Sequence, residues 1–521
     1  MLKRVGAAAV SGLALSLAFE PVAVPYLLPP ALAGFALTIR GLPVRRAWLP
    51  GLAFGVAFYF VHIHWMSPSV GMPAWLALAG LEALFYGLLG AAAGALCRLP
   101  GWPVWLAAAW AAVELWRAEW PFSGMPWGRL SFAVVDTPVA DALAYVGTTG
   151  VSFLLALSGF LIAAAVEERE RRRRLVAVGA FVATCVVLVA PTFTPYELDQ
   201  RGTATVAVVQ GNVPPPENDI LYDHRQVTAN HVQATVDLAA RVAAGSEPRP
   251  DFVLWPENST AVDPFADLST NQGIRRASAA IGVPILVGAM VDAGERHVLN
   301  QGIVWDPETG AGQRYTKHHP VAYGEYVPLR GLIRALGLED SGQLGRIRRD
   351  MLTGTATEPL SIAGIEVADG ICFDVAYDDV FHDQIGNGAE LLAIQTSNAR
   401  FIFTDQIEQQ FAMTRLRAIE AGKYLVVAST NGISGVVAPD GEVLDTADPR
   451  TQAVLVDEVG LRPGVTPGVR LGGWLAVALP LVAGLGLLLR VVTYRRERRS
   501  GAARDPEVAA PAVETEEKAS T

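Results

Sequence analysis

The run TVAVVQ at residues 205–210, closed by Gly211-Asn212, divides the chain and decides its architecture. A β-branched apolar run that stops at a Gly-Asn pair reads as a buried strand with its exit loop. Before it, up to about residue 190, apolar residues crowd together. After it the composition is mixed until one more apolar run at 471–489. The 521 residues are 51% hydrophobic and the mean hydropathy is +0.31, too apolar for an ordinary soluble protein. The plan is therefore membrane, globule, membrane. It places membrane helices over 1–192, a globular domain over 203–458 and a closing span over 471–492. The tail at 500–521, rich in Ala, Glu, Pro and Thr, reads as a disordered cytoplasmic segment.

Apolar runs that suit a bilayer lie near 7–19, 22–39, 49–66, 74–96, 104–116, 151–166, 175–189 and 471–489, giving about eight transmembrane helices. A cleaved secretory signal is the competing reading of the first, but a second apolar run follows at once, which suits a retained span. Lys and Arg in short loops stay cytoplasmic. With Lys3 and Arg4 inside, alternation also puts Arg40, Arg45, Arg46, Arg98, the 169–174 cluster and Arg495, Arg496, Arg498 and Arg499 inside. Seven crossings then precede the globular domain and carry it outside the cytoplasm, leaving both termini within. Only Arg117 and Arg129 fall on the wrong side.

A net charge of −10, with no basic stripe interleaved with aromatics, argues against a nucleic-acid partner. The three cysteines, Cys97, Cys185 and Cys372, form neither a disulfide framework nor a zinc pair, so no metal or other cofactor is expected. Cys97 and Cys185 lie at or inside apolar segments, where cysteine behaves as a small hydrophobe. Cys372 alone sits in the globular region.

Within that region further strands are expected near 252–254, 284–289, 303–305, 366–368, 391–396, 424–429 and 435–438, with a helix over 224–244 and others between the strands. The alternation predicts an α/β layered domain, and Pro439-Asp440-Gly441 a hairpin edge. Strand-end loops expose side chains on a rigid frame, and three candidates fall there: Glu257, Lys317 and Cys372. A helix beginning near Asp374 would place Cys372 beside a helix N-terminus, which lowers a thiol pKa. A cysteine supplies an attacking thiolate, a carboxylate takes its proton, and a lysine stabilises an oxyanion. Each has a plainer reading. Cys372 could be packed core, Glu257 a helix cap and Lys317 a surface residue, although lysine is rare here, four of 41 basic residues. His318 and His319 read as loop structure.

Taken together, Leu254-Trp255-Pro256-Glu257, Tyr315-Thr316-Lys317, Gly324-Glu325-Tyr326-Val327-Pro328, Gly370-Ile371-Cys372-Phe373-Asp374, Ser397-Asn398 and Ser429-Thr430-Asn431-Gly432 resemble the nitrilase superfamily in order and spacing. With seven spans before that domain and one after, the whole chain except its tail resembles the apolipoprotein N-acyltransferase family. The resemblance implies an αββα sandwich and a ping-pong acyl transfer in the bacterial cell (inner) membrane. Cys372 would take an acyl chain from a phospholipid as a thioester and pass it to the α-amino group of a diacylglyceryl-cysteine lipoprotein. It also implies that Glu257 is the general base, Lys317 the oxyanion stabiliser and Glu325 a supporting carboxylate. Asp374 stands where the family usually has a glutamate. After Ser397-Asn398 the family commonly continues with an acidic or small residue and Trp-Phe-Gly, whereas Ala399-Arg400-Phe401-Ile402-Phe403 follows here. Glu114, Arg117 and Pro126-Trp127-Gly128 resemble a family segment near the bilayer surface. There Arg117 and Arg129 would meet phospholipid head groups, the competing reading being an ion pair with Glu114 or Glu119. Trp127, Asn398 and Asn431 join Arg117 as expected substrate-binding residues. A membrane-tethered amidohydrolase and a non-catalytic scaffold are the rival readings.

Overall fold

The computed structural model describes residues 1–221, 223–337 and 344–502; the expected acidic tail lies, from residue 503, outside the described residues. The N-terminal region is helical: α1 (Leu2–Ser16), α2 (Leu28–Ile39), α3 (Val44–His62), α4 (Met72–Leu96), α5 (Trp102–Glu119), α6 (Leu143–Glu167) and α7 (Arg171–Val189). Small residues let these helices approach closely. A Cβ on Gly51 of α3 would stand 2.4 Å from the Tyr86 carbonyl oxygen of α4, and one on Gly159 of α6 would stand 2.4 Å from Leu32 Cβ of α2. Among the described residues four helical segments are long and apolar enough to cross a membrane: Met72–Leu96, Ala140–Glu167, Arg171–Phe193 and Pro467–Glu497. Each expected apolar run falls largely on a helix, α6 beginning at Leu143 rather than near 151 and α12 running on to Ala502 rather than ending near 489.

The globular region opens on β1 (Gly202–Gln210) and α8 (His224–Ala243), then β2 (Phe252–Leu254), α9 (Leu268–Ile281), β3 (Ile285–Asp292), β4 (His297–Asp306) and β5 (Gly310–Thr316). The helices start where short acidic side chains cap them. Asp223 accepts from Gln226 N at 3.1 Å and Asp267 from Thr270 N at 2.8 Å, and α9 stops at Gly282, whose φ is +69°. The second half holds β6 (Asp350–Met351), β7 (Leu360–Ile362), β8 (Ile365–Ile371), α10 (Asp378–Gly386), β9 (Leu391–Thr396), α11 (Gln406–Ala421), β10 (Leu425–Ser429), β11 (Ser434–Val437), β12 (Val443–Ala447) and β13 (Ala453–Leu461). The last helix is α12 (Pro467–Ala502).

Two sheets result. One runs β13-β1-β2-β3-β4-β5 with β6 against β4, the other β12-β11-β10-β9-β8-β7. β1, β2 and β3 are parallel, as are β8, β9 and β10, and these central strands are buried on both faces, as parallel strands usually are. Alternation sorts their side chains into layers. Val206 and Val208 share one core with Ile371, Ile394 and Val426 of the other sheet, while Ala207 and Val209 pack with Leu238 and Ile274 of α8 and α9. The domain is therefore a helix-sheet-sheet-helix sandwich whose parallel strands end together, and loops at those ends face one region.

The expected hairpin at 439–441 joins β11 and β12, paired Val437 to Val443. β5, β6, β7 and β13 were not among the expected strands. β5 and β13 are polar or half-exposed, β6 and β7 are only two and three residues long, and all lie at or beside sheet edges, where neither a continuous apolar run nor clean alternation is needed.

Candidate active site

Glu257 follows β2 by three residues, Lys317 comes directly after β5 and Cys372 directly after β8. The Glu257 loop can lie across β3 because residue 288 is glycine. A Cβ there would stand 2.2 Å from the Pro256 carbonyl oxygen. Lys317 Nζ donates to Glu257 Oε1 at 3.3 Å and to Glu325 Oε1 at 2.7 Å, so an ammonium with no exposed surface sits between two carboxylates. Burial alone would pull the lysine down, but the charges of Glu257 and Glu325 hold it well above its ordinary value. Glu257 is aimed from two more sides: Asn300 Nδ2 of β4 donates to Oε1 at 2.7 Å, and Ser397 N donates to Oε2 at 2.9 Å. Glu325 Oε2 accepts from Val321 N at 2.8 Å. No helix begins at Glu257, so the capping reading falls away.

Cys372 sits on a sharp elbow. Its φ is +52°, and Asn258 and Asn398, on two neighbouring strand-end loops, are also left-handed at +57° and +56°. Non-glycine residues are held there only when the surroundings over-determine them, and such strain gathers at functional loops. The thiol is half-buried and lies beside the Thr396 side chain, whose Oγ1 accepts from Gln410 Nε2 at 3.0 Å. The expectation of a lowered thiol pKa is corrected here. A short 3-10 turn (Cys372–Ala376), not an α-helix, follows the cysteine. Burial, and then the Glu257 charge, push the thiol up to about 12, which the Lys317 charge only partly offsets. At rest the sulfur is a neutral thiol beside a carboxylate and an ammonium, an arrangement that needs a base before it can attack.

Asp374 braces the elbow, and among the described residues it makes no hydrogen bond to Lys317 or Glu257. Its carboxylate accepts from Ile371 N at 3.1 Å, Tyr315 Oη at 2.8 Å and His319 N at 2.9 Å. The shorter side chain thus ties the 372 loop to the 315–319 loop. His319 is loop structure as expected: it stacks on Tyr377 at 3.6 Å between centroids and donates to Asp379 at 2.9 Å.

The expected substrate-binding residues are placed differently. Arg117 is wholly buried, not at a lipid surface. It pairs with Glu82 at 3.5 Å, rather than with Glu114 or Glu119, and donates to the carbonyl oxygens of Met125 and Trp127 at 2.6 and 2.8 Å. Nη1 makes all three contacts, while Nε and Nη2 are buried without a hydrogen-bond partner. Arg129 is buried too, and grips Asp378 of the globular domain through both carboxylate oxygens at 2.9 Å. Trp127 has 2% of its surface exposed, and its ring stacks on Phe373 at 5.9 Å and 15°. Asn398 is buried and committed internally, donating to Gln410 Oε1 at 2.8 Å and accepting from Ser429 Oγ at 3.0 Å. Asn431 Nδ2 donates to the Glu217 carbonyl oxygen at 2.7 Å, while its Oδ1 is buried without a hydrogen-bond partner. Among these four, Arg117 Nε and Nη2 and Asn431 Oδ1 are buried polar atoms without a hydrogen-bond partner.

Sequence reading missed Asn300, Thr396 and the pair Gln409-Gln410, and quoted Tyr315 beside Lys317 without giving it a role. A polar amide inside a buried strand or on a buried helix face was the available signal, because such groups persist only where they are hydrogen-bonded. Among the described residues no group of three or more His, Cys, Asp or Glu is placed to hold a metal ion.

A two-sheet sandwich with a carboxylate, a lysine and a cysteine on adjoining strand ends, mounted on apolar helices, defines a membrane-borne domain of the carbon-nitrogen hydrolase kind. Residues 205–462 match the family model for carbon-nitrogen hydrolases and residues 11–161 that for the apolipoprotein N-acyltransferase N-terminal domain. The chain is 35% identical over 513 residues to the apolipoprotein N-acyltransferase of Mycolicibacterium smegmatis, covering 94% of this chain and 85% of that protein. It is 32% identical over 527 residues to that of Azotobacter vinelandii, covering 93% and 94%. The protein belongs to the apolipoprotein N-acyltransferase family and is an acyltransferase of the membrane.

Proposed function

We propose that the protein moves a fatty acyl chain from a membrane phospholipid to the N-terminal α-amino group of a diacylglyceryl-cysteine lipoprotein, through a thioester on Cys372. Glu257 takes the thiol proton as sulfur attacks the ester carbonyl, and the Lys317 ammonium stabilises the oxyanion. The C–O bond breaks, the proton passes from Glu257 to the leaving alkoxide, and a lysophospholipid departs. The lipoprotein amine then attacks the thioester and gives its proton to Glu257. The C–S bond breaks, the sulfur regains a proton, and an amide remains. Glu325 keeps Lys317 charged and aimed, while Asp374 acts through the loop it ties.

In this reading all eight apolar helices cross the bilayer, 1–192 and 471–492 form the membrane part, and residues 203–458 work on the extracytoplasmic face. Both substrates are lipids, so tethering at two ends raises their effective concentration at the site. The observation that carries the proposal is the Cys372 elbow beside the buried Glu257-Lys317-Glu325 cluster. The test is purified protein in phospholipid vesicles with and without a diacylated lipopeptide. An acyl adduct on Cys372 without the peptide and an amide product with it are expected. Free fatty acid with no amide would favour the amidohydrolase, and an adduct on another residue would overturn the assignment.

A further inference from the structure

We infer that Gln409 is a positioning residue through which the membrane region holds the wall beside the nucleophile; this rests on the reading of Cys372 as the acylated residue. Gln409 lies on α11 of the globular domain and is buried, yet its carboxamide is used entirely by the membrane region. Oε1 accepts from Trp127 Nε1 at 2.7 Å and from Trp65 Nε1 at 3.0 Å. Nε2 donates to the carbonyl oxygens of Glu20 at 2.9 Å and His62 at 3.2 Å. One amide therefore joins the turn after α1, the end of α3 and the loop after α5 to the catalytic domain.

The connection reaches the thiol by two short routes. Trp127, whose N–H is anchored on Gln409, stacks its ring on Phe373, the residue after Cys372. Gln410, next to Gln409, donates to Thr396 Oγ1 and, at 3.4 Å, to the Cys372 carbonyl oxygen. From the other side Arg117 holds the Met125 and Trp127 carbonyl oxygens, so Trp127 is fixed at its backbone as well as at its ring N–H. The clamped indole is itself buried and fixes the partly exposed Phe373 ring beside Cys372 as a rigid wall for a chain rising from the helices. Among the described residues the Gln409 side chain makes no hydrogen bond to Cys372, Lys317 or Glu257, and of the two routes the one its carboxamide holds directly runs through Trp127.

A change at Gln409 should slow reaction with a lipid, which must be aligned along this wall, while sparing reaction with a small reagent that needs only the thiol. The experiment uses the full chain in phospholipid vesicles and a double-mutant cycle of Gln409→Leu and Trp127→Phe. Two rates are read by mass spectrometry: single-turnover acylation of Cys372 by phospholipid and alkylation of Cys372 by iodoacetamide. Each single change is expected to slow acylation about tenfold, because a buried donor or acceptor loses its partner. Alkylation should stay within about twofold, and the double variant should be no more than about twofold slower than the worse single. Multiplying losses in the double variant, equal losses in both rates, or no loss at all would overturn the inference. If the leucine variant does not fold, Gln409→Met, of nearly equal length and with no amide to bind either indole, takes its place. Failure of the unaltered protein to acylate Cys372 would instead sink the proposed function.

Discussion

The change Glu257→Gln separates a proton acceptor from a structural carboxylate. With the thiol pushed up to about 12, about one molecule in 10⁵ carries a thiolate at neutral pH. A reaction that waited for that fraction would be slowed in proportion, whereas a carboxylate taking the proton as the C–S bond forms removes the wait. A positioned base contributes about 10² to 10⁴ in rate, so the variant should acylate Cys372 slower by that factor. Glutamine keeps the shape, and its one oxygen can still accept from Asn300 Nδ2 and Lys317 Nζ at the loss of the Ser397 N bond; Lys317 also retains Glu325 at 2.7 Å, so the site should stay assembled. Removing the carboxylate also removes a charge that raises the thiol. Residual reaction through spontaneous thiolate should therefore climb about tenfold per pH unit until the lowered thiol pKa is reached. The unaltered protein should be nearly flat over the same range. Acid-quenched single turnovers in vesicles, read as the mass of the acyl adduct from about pH 6.5 to about pH 9, test both features. A variant within about threefold of the parent, or one with a flat profile, would refute the assignment of Glu257 as base.

Replacing Lys317 with Met leaves Glu257 and Glu325 facing one another in a buried site. It should cost about 3–5 kcal/mol, read as a lower midpoint of thermal unfolding in detergent, and an unchanged midpoint would count against the ion cluster. Arg129→Ala leaves Asp378 with Arg417 at 2.8 Å as its remaining cationic partner and should loosen the catalytic domain on its helices, seen as new proteolytic cuts near 378–386. The His319 imidazole is pulled down by burial but held above its ordinary value by Asp379, so its stabilising effect is full below about pH 6.5 and fades as pH rises through the raised value. The unfolding midpoint should fall over that rise, and His319→Gln should remove the slope; because Asp379 is half-exposed the effect is small.

Much of the architecture was legible because its causes are local. Apolar runs long enough for a bilayer, β-branched runs buried in parallel strands, and the Pro-Asp-Gly hairpin each depend on neighbours a few residues away. The edge strands β5 and β13 were not legible, because they gain their partners from strands already in place. The site divides the same way. Glu257, Lys317 and Cys372 could be picked as strand-end residues of suitable chemistry, while Asn300, Thr396 and Gln409 showed only as polar residues.

By itself the amino-acid sequence determined the order of membrane and globular parts, the central strands and the residues at their ends, since backbone sterics and hydrophobic periodicity act over short spans. The tertiary structure alone decided which charges meet. It buried Arg117 against Glu82, 35 residues away along the chain, and set Lys317 between Glu257 and Glu325. It also raised the Cys372 thiol rather than lowering it. Burial and pairing are properties of surfaces brought together from distant segments, and the ionisation of each group follows from them.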